Sequence, residues 1–128
     1  MRLGNLDIPR ETCRLVGDIL GHVGDKWSVL VIVLLRERAM RYSELEREIG
    51  TISKKMLTRT LRHLERDGFL TRAIMPTMPP RVDYALTALG REVMDPLDGL
   101  ARWALDNRGR VVAARAAYDA DRQPGFSQ

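Results

Sequence analysis

Residues 52–68 read ISKKMLTRTLRHLERDG, and their pattern predicts one short helix with two chemically different faces. Ser53 can cap the first turn through its hydroxyl, and Ile52 before it is placed to pack against the next turn. The apolar positions recur at helical spacing and form a narrow stripe of Leu57, Leu61 and Leu64. Gly68 supplies a residue that adopts the left-handed conformation at which helices end. We therefore expect a helix that begins after Ser53 and stops before Gly68.

The opposite face of this helix carries cationic and hydroxyl side chains, namely Lys54, Lys55, Thr58, Arg59 and Arg62. No acidic residue follows until Glu65. Concentrating cations on one helix face is electrostatically costly and is typical of a surface that binds a polyanion. These five residues are candidate DNA contacts, and Ser53 joins them because a helix N-terminus binds phosphate. The alternatives are a solvated helix face and, for Arg62, an intrahelical pair with Glu65.

A shorter helix precedes the basic helix and is joined to it by a tight turn. Ser43-Glu44-Leu45-Glu46 reads as a capping box, with Ser43 as the cap and Glu46 three residues later. Gly50 closes this helix, and residues 50–52 lead directly into the basic helix. Two short helices joined in this way predict a helix-turn-helix, whose second helix enters the DNA major groove.

Two predicted strands follow the basic helix, at residues 69–74 and 81–86. The connection between them, MPTMPP at 75–80, is too rich in proline to be a central strand. A hairpin with a projecting tip after a helix-turn-helix predicts a winged helix. Thr77 at the tip and Arg81 at the base are then candidate contacts to the DNA backbone or minor groove.

Two candidate arginines have an alternative role. Arg81 could pair with Asp83 or Glu92 instead of contacting DNA. Arg41, at the start of the helix-turn-helix, is equally open between a DNA contact and a structural role.

Helical periodicity predicts two further helices on the N-terminal side. The first runs from Cys13 to Gly24, after a tail that lacks a sustained period. Asp25 caps the second, whose wide apolar face makes it the expected core helix and consists of Trp27, Leu30, Val31, Leu34 and Leu35. Trp27 is expected in the core rather than on a stacking surface.

On the C-terminal side, Thr87 can cap a helix whose shared apolar face is Leu89, Val93, Leu97, Leu100 and Ala104. Pro96 removes a backbone donor and is expected to bend this helix. Asn107-Arg108-Gly109 is expected to break it, and a last helix resumes at Val111. This segment is more apolar than one winged helix needs to close its core, so we expect it to pack with the first helix against a second copy.

These elements divide the chain into an N-terminal tail at 1–12, a winged helix-turn-helix domain at 13–106, and a C-terminal helix and tail at 107–128 used for dimerisation. The expected fold is mainly α with a small β-hairpin: a winged helix-turn-helix with N- and C-terminal dimerisation helices. Two identical DNA half-sites require a symmetric dimer.

Composition limits the remaining possibilities. A chain of 128 residues, 45% hydrophobic and 30% charged, has the balance of a soluble globular protein with room for one domain of ordinary size. Its net charge of +4 equals the charge carried by the four cations of residues 54–62. The excess positive charge is therefore concentrated in this segment rather than distributed along the chain. No apolar run approaches the ~18 residues of a membrane helix, and the N-terminus lacks a signal-peptide pattern. We expect a cytoplasmic, nucleoid-associated protein.

The sequence offers little support for an enzyme or a metalloprotein. It has no phosphate-cradling glycine loop and no nucleophile elbow, and His22 and His63 lack metal-ligand spacing. We therefore expect no cofactor, no metal site and no catalysis. A third class is a winged helix that binds another protein. In such a protein, the helix that corresponds to the basic helix would be expected to lack the Lys and Arg side chains seen here.

Five blocks of this sequence together resemble the HxlR family of bacterial winged helix-turn-helix transcriptional regulators: GDKW at 24–27, RYSEL at 41–45, ISKKMLT at 52–58, LRHLERDG at 61–68 and PPRVDYALT at 79–87. The resemblance covers roughly Cys13 to Trp103. It implies a homodimer that binds a two-fold-related operator. In that family a cysteine near the start of the first helix is common and is a redox or electrophile sensor in some members. Cys13 stands at that place, followed by Arg14 where the family usually has proline.

Cys13 is the only cysteine, so it cannot form an internal disulfide, which fits a reducing compartment. Its alternative roles are a small buried apolar residue and a sensor whose thiolate is favoured by Arg10, Arg14 and a helix N-terminus. The predicted function is a sequence-specific regulator that binds double-stranded DNA as a homodimer on a two-fold-symmetric operator, with a redox or electrophile response through Cys13. The small-molecule effector is unknown: the apolar residues Trp27, Met94 and Trp103 would suit a ligand pocket or a packed core equally.

Overall fold

The structure is a computed structural model that describes residues 2–122. The helices of this part of the chain are α1 (Arg10–Val23), α2 (Lys26–Leu35), α3 (Tyr42–Ile49), α4 (Lys54–Arg66), α5 (Ala88–Glu92) and α6 (Met94–Asp121). The strands are β1 (Arg2–Leu3), β2 (Leu6–Asp7), β3 (Met40–Arg41), β4 (Leu70–Met75) and β5 (Arg81–Leu86). Two compact units divide after Met94, twelve residues before the boundary expected at 106.

The core of the first unit lies where the inner faces of α2, α3 and α4 meet the sheet. Its fully buried side chains are Val31, Ile32, Leu35, Leu45, Leu57, Leu64 and Leu70. Burying a side chain of this size contributes roughly 1.5–3 kcal/mol, so these residues dominate the stabilisation of this unit. The predicted apolar stripe of α4 is confirmed, because Leu57, Leu61 and Leu64 all lie in this core.

The buried face of α2 differs from the predicted one. Asp25 caps the helix as expected, since its carboxylate accepts a hydrogen bond of 3.1 Å from the backbone N–H of Trp27. The face turned inward is Ser28, Val31, Ile32 and Leu35, whereas Leu30 is 42% exposed. Trp27 is only half-buried and carries the Lys26 ammonium 4.4 Å above its ring, so its assignment to the core was wrong. Nearly every residue of α2 is apolar, and periodicity alone therefore left its orientation ambiguous.

The sheet is antiparallel, with strand order β3-β5-β4. The predicted hairpin is confirmed, and its ladder runs from the Leu70–Leu86 pair to the Met75–Arg81 pair. The third strand, β3, was not predicted; it pairs Met40 with Tyr84 and Arg41 with Asp83. Its two residues are too few to show a strand period, and its place in the sheet depends on a partner more than forty residues away.

A glycine holds α5 close to the sheet. Thr87 caps α5 as expected, accepting a hydrogen bond of 3.1 Å from the backbone N–H of Gly90. A Cβ atom on Gly90 would lie 2.1 Å from the carbonyl oxygen of Phe69. Any other side chain is therefore excluded here unless the backbone moves.

Two expectations about the C-terminal helices were wrong. Helix α5 ends before Val93, and Pro96 lies in the first turn of α6, where its missing N–H is tolerated, instead of bending a longer helix. Helix α6 also runs unbroken through residues 107–109. A glycine in a helix costs only about 1 kcal/mol relative to alanine. The Asn107 amide donates to the carbonyl of Trp103 at 2.8 Å, so this polar side chain is satisfied within the helix.

The N-terminal segment is more ordered than a tail. Strands β1 and β2 form a small antiparallel hairpin, and α1 begins at Arg10, three residues before the predicted start. Within α1 only Val23 is buried, while Leu15 and Leu20 are 60% and 63% exposed. The apolar face of α1 is therefore left largely uncovered in one chain.

The second unit is the greater part of α6. Its exposed large apolar side chains are Leu100, Trp103, Leu105, Val111, Val112 and Tyr118. No helix within residues 2–122 has both the length and the apolar character needed to cross a lipid bilayer.

Candidate nucleic-acid interface

The N-terminus of α4 is fixed by its cap and by the turn before it. The Ser53 hydroxyl accepts a hydrogen bond of 3.1 Å from the backbone N–H of Met56, so the predicted cap is confirmed. Ile52 is buried and anchors the start of the helix, and Gly50 turns the chain at a φ of 77°. At the other end Gly68 has a φ of 85°, as the sequence predicted. The ends of α4 are thus set by local sequence.

The cationic residues of α4 are exposed together on one face. Lys54, Lys55, Arg59 and Arg62 are all exposed, and none forms an ion pair with a carboxylate of residues 2–122. With Thr58 and His63 they line an open groove of about 520 Å³, which we call the α4 groove. Four uncompensated charges on about two helical turns attract an anion.

Glu65 does not pair with Arg62, the alternative that the sequence left open. Its carboxylate lies 3.9 Å from Nε of Arg72, on strand β4. Arg72 was not singled out from the sequence, because only the fold brings β4 beside the end of α4. Arg62 therefore keeps its charge available at the surface.

Tyr42 joins α3 to α4 and was missed by the sequence analysis. Its hydroxyl donates to the backbone carbonyl of Lys54 at 3.0 Å and lies 3.2 Å from Oγ1 of Thr58. The only signal in the sequence was an aromatic residue beside the start of α3, which does not reveal a partner sixteen residues away.

The start of α3 is organised by Glu44 rather than by the predicted Ser43–Glu46 box. Arg41 occupies the cap position, and its backbone N–H donates to Oε1 of Glu44 at 3.0 Å. The Arg38 guanidinium binds the other carboxylate oxygen at 3.0 Å. The hydrogen bond from the Arg41 backbone and that from Arg38 lower the pKa of Glu44 to about 2. Helix α3 starts earlier than expected because Arg41 is already paired in β3.

The guanidinium of Arg41 lies near the same carboxylate, with Nε 3.6 Å from Oε1 of Glu44. The side chain is half-exposed, so this contact orients it without removing it from solvent.

The wing and the start of α3 enclose a second groove, of about 510 Å³, which we call the wing groove. It brings together the candidates Arg41, Thr77 and Arg81. Arg81 binds Asp83 through two hydrogen bonds of 3.0 Å, which selects Asp83 over Glu92 as its partner. A guanidinium has five N–H donors, so this pair leaves donors for a phosphate. The Thr77 hydroxyl donates to the carbonyl of Pro79 at 2.7 Å and shapes the wing tip.

Behind the wing, Tyr84 of β5 is partly buried beneath the end of α4. Burial raises the pKa of its phenol above the usual value.

Cys13 lies in the first turn of α1. Its thiol is half-buried and 3.6 Å from the carbonyl oxygen of Ile8, to which it can donate a weak hydrogen bond. It lies apart from both grooves in sequence and belongs to the helix with the uncovered apolar face.

A histidine cluster connects α1 to the end of α4. Nδ1 of His22 lies 2.7 Å from Oδ2 of Asp67, and the rings of His22 and His63 stack with centroids 4.5 Å apart. No group of three or more His, Cys, Asp or Glu side chains within residues 2–122 has the geometry of a metal site.

Comparison with known proteins gives a consistent result. Residues 22–111 match the family model described as HxlR-like helix-turn-helix. The HTH-type transcriptional regulator YtfH of Escherichia coli K12 is 46% identical over 98 residues, which cover 77% of this chain and 78% of YtfH. The solved structure of the transcriptional regulator ytfH from Salmonella typhimurium is 44% identical, with a TM-score of 0.72 over 79% of this chain and 90% of that one. The redox regulator HypR in its reduced form is 30% identical, with a TM-score of 0.71 over 77% and 98%.

Proposed function

The chain belongs to the HxlR-like helix-turn-helix family of transcriptional regulators, as the resemblance implied, and is not an enzyme; from this premise we propose that it binds double-stranded DNA sequence-specifically, as a homodimer on a two-fold-symmetric operator. The observation that carries the proposal is the exposed face of α4, where Lys54, Lys55, Arg59 and Arg62 form no ion pair with a carboxylate of residues 2–122.

In the proposed complex α4 lies in the major groove. Ser53, Lys54 and Lys55 are at its N-terminus, where backbone N–H groups and the helix dipole favour a phosphate. Thr58, Arg59 and Arg62 follow along the exposed face, at spacings that reach base edges and the flanking backbone. The wing groove supplies Arg41 and Arg81 to the neighbouring backbone or minor groove. Thr77, whose hydroxyl proton is donated to Pro79, would meet the minor groove as an acceptor.

Dimerisation is proposed through α1 and α6. A face that carries Leu15, Val16, Ile19 and Leu20 is costly to leave in water at roughly 25 cal/mol per Å². In the first unit Leu15 and Ile19 also border an apolar groove of about 490 Å³ that Phe69, Leu89 and Val93 line. In the second unit, the exposed apolar side chains of α6 are equally costly to leave in water, and a partner would cover them. A symmetric dimer would space two α4 helices about 34 Å apart, or a multiple of that distance.

Selection of duplex DNA from a random pool tests this function. We expect a two-fold-symmetric consensus, and a plot of log affinity against log salt with a slope of about −7, from four neutralised phosphates in each half-site at about −0.9 each. If no sequence is enriched and affinity is weak at every salt concentration, α4 serves a protein or RNA partner instead. Sedimentation of the free protein measures the oligomeric state separately.

We also propose that Cys13 makes DNA binding sensitive to oxidants or electrophiles. The support is its place in the first turn of α1, beside Arg10 and Arg14, on the helix proposed for dimerisation. The related protein HypR is itself a redox regulator. Two thiols from two protomers would each lose a proton and an electron to the oxidant to form a disulfide, whereas an electrophile would alkylate one thiolate. Labelling of the native thiol no faster than that of free cysteine would count against a sensor.

A further inference from the structure

Thr58 occupies a special position on α4, because it faces two sides at once. Outward, it lines the α4 groove together with the exposed cations. Inward, it lines a smaller recess with Tyr42, Arg72 and Tyr84. The Thr58 hydroxyl can therefore be controlled by the protein from one side while it meets DNA from the other.

A count of protons fixes the direction of the hydrogen bonds at this point. A tyrosine hydroxyl has one proton to donate, and a backbone carbonyl can only accept. Tyr42 lies 3.0 Å from the carbonyl oxygen of Lys54, so its proton is used there. The 3.2 Å contact between Tyr42 and Oγ1 of Thr58 then requires the proton of Thr58.

Thr58 is left without a proton for any outward partner. What it offers to the groove is the remaining acceptor capacity of Oγ1 and its methyl group. Phosphate oxygens only accept hydrogen bonds, so Thr58 in this state is unsuited to a phosphate. In the major groove the matching donors are the amino groups at N6 of adenine and N4 of cytosine, whereas O6 of guanine and O4 of thymine are acceptors.

We propose that Tyr42 is a specificity-determining positioning residue: by taking the proton of Thr58, it makes Thr58 select a base with a major-groove amino group. The inference rests on the proposed DNA binding by α4 and adds the class of base that one position of the operator must present. Tyr42 acts through Thr58 and needs no contact with DNA itself.

The first experiment measures amino-group discrimination on the selected operator. Each adenine in turn is replaced by purine, which lacks the 6-amino group, and each cytosine by 2-pyrimidinone, which lacks the 4-amino group. For the native protein we expect a loss of affinity of about two- to tenfold at one base of each half-site, the value of one neutral hydrogen bond. Thr58→Val, which removes the hydroxyl and keeps the shape, should abolish the loss at that base alone, and Thr58→Ser should retain it.

The second experiment tests Tyr42 through a double-mutant cycle. Tyr42→Phe should reduce the discrimination at the same base, because the freed Thr58 hydroxyl can donate to acceptors. In the Thr58→Val background, Tyr42→Phe should change the discrimination no further. Circular dichroism and thermal unfolding check that each variant is folded. If Tyr42→Phe is not folded, the comparison of Thr58→Val with Thr58→Ser still shows whether the Thr58 hydroxyl accepts a hydrogen bond from the base.

The outcomes separate the two levels of the proposal. If an operator is selected but Thr58→Val leaves amino-group discrimination unchanged at every base, the inference about Thr58 is wrong while DNA binding stands. If Tyr42→Phe retains full discrimination that Thr58→Val removes, Tyr42 is not the determinant. If no operator is selected at all, the proposed function itself fails.

Discussion

Gly90→Ala provides a sharp test of the packing between α5 and the sheet. The added Cβ would lie 2.1 Å from the carbonyl oxygen of Phe69 and 3.1 Å from Cδ2 of Leu86. Carbon and oxygen atoms rarely approach closer than about 3.3 Å, so α5 or the Phe69 carbonyl would have to move by about 1 Å. That carbonyl accepts a hydrogen bond of 3.1 Å from the Thr87 backbone, which the movement would strain or break.

The expected cost follows from three effects. Overpacking costs about 1–3 kcal/mol, and loss of a buried hydrogen bond costs a similar amount. Alanine regains about 1 kcal/mol through its higher helix propensity. Gly90→Ala should therefore lower the free energy of unfolding by about 1–5 kcal/mol.

Urea unfolding followed by circular dichroism measures this value, at one fixed protein concentration because the stability of the proposed dimer would depend on concentration. Gly109→Ala is the matched control, since nothing lies within 4 Å of its added Cβ in the interior of α6. The same substitution there should raise stability by about 0.5–1 kcal/mol. If Gly90→Ala also raises stability, the close approach of α5 to Phe69 does not exist.

Four further predictions concern DNA binding, acid stability, redox response and assembly. In a gel-shift titration, Arg59→Ala should weaken operator binding by about 1–3 kcal/mol and relax its sequence specificity. Arg91 is an exposed arginine on α5, and Arg91→Ala should have neither effect. If the two substitutions have equal effects, Arg59 contributes only nonspecific charge. Glu44→Gln should lower stability above pH 4.5, and the difference from the native protein should shrink as the pH falls towards about 2. The reason is that the native carboxylate stabilises the fold only while it is ionised. Acid unfolding curves measure this difference, and a difference that does not change with pH would contradict the prediction. Cys13→Ser should bind the operator normally in reducing buffer and lose any response to a thiol oxidant; an unchanged response would exclude Cys13 as the sensor. Leu20→Glu should raise the dimer dissociation constant in sedimentation equilibrium by burying a charge, and unaltered dimerisation would remove α1 from the interface.

The elements that the sequence predicted well are those with local signals. Ser53 and Gly68 mark the ends of α4 by side-chain capping and a positive φ, and both depend on neighbours within a few residues. The tip of the wing was likewise predicted from a local signal, its run of prolines. Exposure of the cations followed directly from the apolar stripe on the other side of α4.

The elements that it missed depend on distant partners. β3 is a strand only because Met40 and Arg41 meet β5, and that pairing moves the start of α3 from Ser43 to Tyr42. Tyr42 and Arg72 acquire their partners through the fold, so no spacing in the chain revealed them. The expected break at 107–109 failed for a different reason, since a single glycine weakens a helix without ending it.

The contact between His22 and Asp67 has a mechanical consequence. It attaches α1, the helix with the uncovered apolar face, to the residue that ends α4. Helix α4 is about 20 Å long, at about 1.5 Å for each of its thirteen residues. A tilt of about 10° around this attachment would move the far end of α4, with Lys54 and Lys55, by about 3.5 Å, close to the rise of about 3.4 Å between successive base pairs. A rotation of α1 that reached α4 through His22 and Asp67 would therefore displace the cationic end of α4 by about one base-pair step.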